Sequence, residues 1–189
     1  MIHKRALTAL LAGFLLTLGA CNSDAEGDAE NQGNGEIGNE TLAALMEDAD
    51  DLSTVTDIMG SSGLQGVFDG NAPYTVFAPT DEAFSALDVP LEGEETRAAR
   101  VAILREHIVP GYLSRDDIVA AIGRSGGSVE MQTMGTNTLT FSGTEDALRV
   151  ASSDGSQASV TGEVLSGANG SIIPIDGVLK SMDTPETPG

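Results

Sequence analysis

Four side chains in this 189-residue sequence have the type and setting for chemistry: Cys21, Asp81, His107 and Asp176. A thiol becomes a nucleophile or metal ligand once ionised. An imidazole moves protons near neutral pH. A carboxylate can take a proton, ligate a hard cation or meet a cationic partner. Spacing decides among these. Cys21 is the only cysteine, so it has no disulfide partner and no second thiolate for a metal. The other histidine, His3, lies in a targeting segment, so His107 stands alone in the remainder. The chain has no phosphate loop and no His-x-x-x-His pair, and the Gly-x-Ser-x-Gly spacing of Gly123-Arg-Ser-Gly-Gly127 falls in a loop that follows a helix, not at the strand-to-helix turn a nucleophile elbow needs. No catalytic constellation is present, and a non-enzymatic protein without cofactor or metal is expected. The run Glu47-Asp48-Ala49-Asp50-Asp51 resembles a cation-binding cluster, but adjacent acids at a helix junction read more simply as a solvated turn and cap.

The chemistry expected of Cys21 is acylation. Residues 1–20 read as a targeting segment: Lys4-Arg5 is a positive start, and Ala6 to Leu18 is an apolar run too short to span a bilayer well. It ends Leu18-Gly19-Ala20-Cys21, which resembles a bacterial lipobox. Small Gly19 and Ala20 give a peptidase access to the backbone, and the Cys21 thiol takes the diacylglyceryl group. Each buried CH₂ contributes about 0.8 kcal/mol, so more than one acyl chain anchors stably. The expected first partner is therefore a membrane, reached through lipid on Cys21. Asn22 follows where an aspartate is an inner-membrane retention signal in enterobacteria, which points to the outer membrane. Residues 21–38 are acidic and Gly/Asn-rich, with too little apolar surface to offset ordering, and read as a disordered tether.

The elements that must position the remaining residues follow from periodicity. Glu40 to Met46 and Asp51 to Met59 read as short helices. Leu52, Val55, Ile58 and Met59 mark a buried face in the second. Tyr74 to Phe77 is a strand ended by Pro79, after which Thr80 caps a helix starting Asp81-Glu82. Thr96 to Ile108 is the longest predicted helix, with Val101, Leu104 and Ile108 on one stripe and His107 beside it. Pro110-Gly111 stops it, and Ser114 caps a further helix to about Gly123. Val129 to Thr133, Leu139 to Phe141, Leu148 to Ala151 and Ala158 to Val164 read as strands. Ser171 to Ile175 is a strand whose Pro174 suggests an edge or a bulge. Asp176-Gly177 is a turn, and Val178-Leu179 starts one more strand. Helices early and strands late imply an α+β layered domain. Aromatics are only 4% of the chain and Trp is absent, so the core must be largely aliphatic. The net charge of −20 repels nucleic acid and bare anionic lipid.

Three stretches carry a family resemblance. Tyr74-Thr-Val-Phe-Ala-Pro-Thr-Asp-Glu-Ala-Phe84 resembles the opening motif of the fasciclin domain, His107-Ile-Val-Pro-Gly111 its central segment, and Asn169-Gly-Ser-Ile-Ile-Pro-Ile-Asp-Gly-Val-Leu179 its closing motif. The resemblance covers roughly residues 39–183, with 184–189 as a flexible tail. It implies a compact β-sandwich or wedge of about seven strands with helices packed along one side. In animal fasciclin domains a Tyr-His pair at the central segment is linked to adhesion. This chain has Glu106-His107 there, so recognition of the animal kind is not expected to carry over. Asp81 and Asp176 match motif positions tied to adhesion in some members. The resemblance thus makes His107, Asp81 and Asp176 candidate partner-binding residues. The plainer reading makes His107 a buried histidine bonded to a turn near Thr80-Asp81, and the aspartates helix-start and turn residues. Asn39 and Asn169 fit the N-glycosylation pattern but are expected to be unmodified in a bacterial chain. The sequence is read as a lipid-anchored binding or adhesion module of the bacterial envelope, meeting an envelope or extracellular protein or polysaccharide. The rival readings are a carrier of an apolar, carotenoid-like ligand and a periplasmic spacer.

Overall fold

In the computed structural model, residues 38–180 are described, apart from 69, 88–90 and 92. The targeting segment, Cys21, most of the tether and the tail lie outside the described residues. The chain opens with helices α1 (Leu42–Glu47), α2 (Ser53–Ser62, entered through a 3-10 turn) and α3 (Gln65–Phe68). Strand β1 (Tyr74–Pro79) leads to α4 (Asp81–Ser85), α5 (Arg97–Glu106), β2 (Ile108–Pro110) and α6 (Arg115–Arg124). Six strands complete the domain: β3 (Ser128–Gln132), β4 (Thr138–Thr144), β5 (Ala147–Ser152), β6 (Gln157–Ser159), β7 (Leu165–Gly167) and β8 (Gly170–Ile175).

These strands form two four-stranded sheets, ordered β2-β1-β8-β7 and β3-β4-β5-β6. The opening and closing motifs lie side by side, because β1 and β8 pair in parallel from Tyr74↔Gly170 to Pro79↔Ile175. Sheet one is buried on both faces, which explains its unbroken apolar runs. Val76, Ala78 and Ile172 join the core under the helices, with Leu42, Val55, Ile58 and Leu104. Phe77, Ile173 and Ile175 join a second core against sheet two, with Leu139, Phe141, Leu148 and Val150. The Phe77 and Phe141 rings meet between the sheets with centroids 4.9 Å apart. Helices, sheet and sheet therefore stack as layers of an α+β domain. Only α6 leaves the helical layer, setting Ile118 and Ile122 into the second core.

Local chemistry accounts for the boundaries. Thr80 caps α4 by accepting the Ala83 N–H at 3.3 Å, and Ser114 and Asp117 form a reciprocal capping box on α6. Three sequence expectations change. The long helix stops at Glu106, because Ile108–Pro110 pairs with β1 as a strand, and its buried stripe is Arg100, Ile103, Leu104 and Glu106. Strand β8 is internal, not an edge: β7 pairs with it only up to Ile172, so the N–H missing at Pro174 falls beyond that ladder, where the Pro174 carbonyl accepts from Thr161 N–H at 2.9 Å. Val178 and Leu179 form no strand; they turn back toward α5 and are held there by a side chain.

Candidate functional site around Glu106 and His107

At the end of α5 two adjacent polar side chains turn inward. The helix C-terminus carries them past Ile103 and Leu104 into the interior, leaving Glu106 3% and His107 1% exposed. Burying such groups costs several kcal/mol unless every polar atom finds a partner. Both find partners.

The His107 ring bridges two segments. Nδ1 lies 2.8 Å from the Ile103 carbonyl, and Nε2 accepts the Leu179 N–H at 2.8 Å. A carbonyl can only accept and an N–H can only donate, so the ring carries its proton on Nδ1 and is neutral. Its backbone carbonyl accepts the Phe77 N–H at 2.8 Å. One residue of the central motif thus ties the opening strand to the closing turn. The turn it binds is the one after β8, not the Thr80-Asp81 segment. Burial pushes the imidazole down to about 4, against the pull of the Ile103 carbonyl and the Glu106 and Asp154 charges. The ring is not poised to exchange protons at neutral pH.

Glu106 organises the β3–β4 hairpin loop. Its carboxylate accepts Thr133 Oγ1–H (2.8 Å), Thr136 N–H and Oγ1–H (3.0 Å each) and Asn137 N–H (2.9 Å). Lys180 stands 3.7 Å away. Burial pushes the carboxyl up, but these hydrogen bonds outweigh it and hold Glu106 below its ordinary value. The loop passes close because residue 135 is glycine: a Cβ there would collide with the Glu106 carboxyl group. Asn137 extends the network to Ser152 Oγ and Asp154. Next to the central histidine, this chain builds a buried carboxylate hub. Arg105, Met134, Thr136 and Lys180 line a shallow cleft of about 260 Å³ outside it.

Each aspartate follows the far end of its strand in the β1–β8 pair, where Thr80 N–H donates to the Ile175 carbonyl at 3.0 Å, but their carboxylates serve different elements. Asp81 accepts Ser53 Oγ–H at 2.7 Å and Thr54 N–H at 2.8 Å, capping the start of α2 from another helix. Burial pushes its carboxyl up, and those hydrogen bonds more than reverse the effect. Asp176 is exposed and accepts Ser159 N–H at 2.6 Å, joining β8 to β6. His107 is thus enclosed, Asp81 half-enclosed and Asp176 open to partners. Among the described residues no three or more His, Cys, Asp or Glu gather as a metal site, and no helix is long and apolar enough to cross a membrane.

Two further polar ties connect the motifs. Asn169, read in the sequence as a glycosylation pattern, is 6% exposed. Its Oδ1 accepts the Leu42 N–H at 2.8 Å, and its Nδ2 donates to the Phe68 carbonyl and to that of Gly70 at 2.8 Å. Across the strand pair, buried Thr75 Oγ1 donates to the Gly111 carbonyl at 2.8 Å and accepts the Leu113 N–H at 2.9 Å, while Ser171 Oγ donates to the Leu113 carbonyl at 2.6 Å. Thr75 and Ser171 are short polar residues inside otherwise apolar strands, which is a sequence signal for their tie, whereas Asn169 lies in the turn before β8 and has no such signal. Glu106 had a fainter one, an acid next to the lone histidine on a helix stripe.

The comparisons agree with this architecture. The fasciclin-domain sequence model matches residues 50–181. Protein sll1483 of Synechocystis sp. is 29% identical over 143 residues, spanning 74% of this chain and 72% of that protein. A structure of a FAS1 domain pair from the insect cell adhesion molecule Fasciclin I aligns with a TM-score of 0.62 at 18% identity, over 75% of this chain. This chain spans about half of that structure, 51%. The three motifs converge on one polar, interlocked strand pair, and the chain belongs to the fasciclin-domain family, whose domains are associated with adhesion or binding.

Proposed function

We propose that this protein is a lipid-anchored, non-catalytic binding module of the bacterial cell envelope, working in adhesion or attachment. The observation that carries the reading is a fasciclin domain preceded, across an acidic tether, by Leu18-Gly19-Ala20-Cys21. Diacylation of Cys21 would hold the domain at a membrane, with the tether giving a reach of roughly 20–25 Å. The non-catalytic reading is supported by the state of the one internal imidazole: it is neutral, enclosed and committed at both nitrogens. The partner is an envelope or extracellular protein or polysaccharide, for which the exposed Asp176 and the Arg105–Lys180 cleft offer polar surface beside the family motifs.

The test is fractionation of the native bacterium. Wild-type protein should sediment with membranes and carry acyl chains on Cys21 by mass spectrometry. Cys21→Ser should appear as soluble, unacylated protein outside the cytoplasm. A Cys21→Ser protein that still sediments with membranes would overturn the anchor.

A further inference from the structure

Two cations meet beside the Glu106 hub. Arg105, Lys180, Met134, Thr136 and Ala102 line the cleft of about 260 Å³ outside it. Arg105 is exposed, and its Nε–H donates to the Met134 carbonyl at 3.2 Å, which holds the guanidinium at the rim. Lys180 keeps 29% of its side chain exposed, with its ammonium 3.7 Å from Glu106 Oε1. That separation is longer than a hydrogen bond. The hub explains it. Thr136 N–H and Oγ1–H fill the two lone-pair sites of Oε1, and Thr133 Oγ1–H and Asn137 N–H fill those of Oε2. Glu106 therefore attracts the ammonium by charge without taking up its N–H donors.

The cleft selects by charge, size and surface. Its two cations and one carboxylate leave it with a single net positive charge, on a chain of net charge −20. One carboxylate balances that charge, and a dianion such as phosphate exceeds it. Its volume lies below the range of sites that enclose a whole small molecule, and suits one side chain. Met134 and Ala102 supply apolar wall for a short methylene stem, and methionine adapts its shape to what it meets. Among the described residues that line the cleft there is no aromatic ring, so a sugar ring has no flat face to stack on.

We propose that this cleft receives a glutamate or aspartate side chain from an extended acidic segment of a partner protein, its carboxylate between Arg105 and Lys180 and its stem against Met134 and Ala102. The proposal rests on the reading of the domain as a binding module and gives that module's partner a chemistry. It does not depend on the Cys21 anchor.

The test is fluorescence anisotropy of a short labelled peptide of alternating glutamate and glycine, titrated with the purified full-length protein. The peptide should bind, and its glutamine counterpart should not. Arg105→Gln and Lys180→Gln should each weaken binding at least ~10-fold, the loss of one charge-assisted hydrogen bond. Ala102 is exposed on α5, so Ala102→Trp should fill the cleft and abolish binding without lowering the melting temperature. The proposal is overturned by no binding up to about 1 mM protein, by equal binding of the glutamine peptide, or by undiminished binding in Ala102→Trp or Arg105→Gln. A galacturonate oligomer that binds more tightly than the glutamate peptide would also overturn it, and would make the partner a polysaccharide. Loss of the peptide signal would leave the binding-module reading standing, because that reading is judged by attachment of the bacterium when the protein is deleted.

Discussion

Acid should weaken this domain first through His107. The neutral ring bridges the Ile103 carbonyl and the Leu179 N–H, and protonating Nε2 would set two donors against each other. Its folded value is about 4 against an ordinary 6.5. The folded value is depressed, so unfolded chains take up the proton first. The native state is at no disadvantage above pH 6.5, loses stability as pH falls from 6.5 toward 4, and loses no more from this group below that. A gap of about 2.5 units at 1.36 kcal/mol each is roughly 3 kcal/mol in total, of which about 2 kcal/mol is gone by pH 5. Glu106, Asp81 and Asp117 are held below their ordinary carboxylate values, so the stability they add is lost only as pH falls further, from the ordinary range down through the folded values. The two effects separate on the pH axis. Urea unfolding at pH 7.5, 6 and 5 should show the histidine loss as a falling midpoint at constant slope. In His107→Gln the pH 7.5 stability should drop, while the dependence between pH 7.5 and 5 flattens. A wild-type curve flat over that range, or a His107→Gln curve with the wild-type slope, would refute the argument.

Glu106→Gln should cost about 2–3 kcal/mol in thermal or urea unfolding, because an amide offers one acceptor atom where two are in use and leaves Lys180 without its charge partner. Gly135→Ala should reproduce much of that loss by forcing a methyl group against the same carboxyl, and the double variant should cost less than the sum. Asn169→Ala removes a helix cap and the N–H donors to two carbonyls at once, so a loss of about 2–4 kcal/mol is expected, with hydrogen exchange rising first at the Leu42 amide. Asp81→Ala should cost about 1 kcal/mol through α2 and speed exchange at Thr54.

Much of this fold was legible because its signals are local. Pro79 ends β1 and Thr80 caps α4 through signals readable in the residues themselves, and the Ser114-Arg-Asp-Asp117 box marks a helix start. The α+β layering followed from helices first and strands later. Strand β2 was missed because three residues after a helix carry no periodicity of their own; their strand character comes from the free edge of β1. Pro174 misled because proline usually marks an edge, and only the short reach of β7 lets it sit in an internal strand. The candidate site divides in the same way. His107, Asp81 and Asp176 could be picked out by type and motif. Their unequal access could not, because it depends on which carbonyl or amide arrives from elsewhere in the chain. Glu106 shows this most clearly: its donors lie 27 to 31 residues downstream, in a loop whose composition gives no hint that a carboxylate fills it.

The proposed function has the domain act by binding while held at the envelope. Attachment of the native bacterium to surfaces and to its neighbours should be compared among wild type, a deletion strain and a Cys21→Ser strain that exports the folded domain. The account predicts that deletion weakens attachment and that Cys21→Ser weakens it as much, since the module survives and only the tether point is gone. Attachment unchanged on deletion, or fully retained by Cys21→Ser, would contradict it.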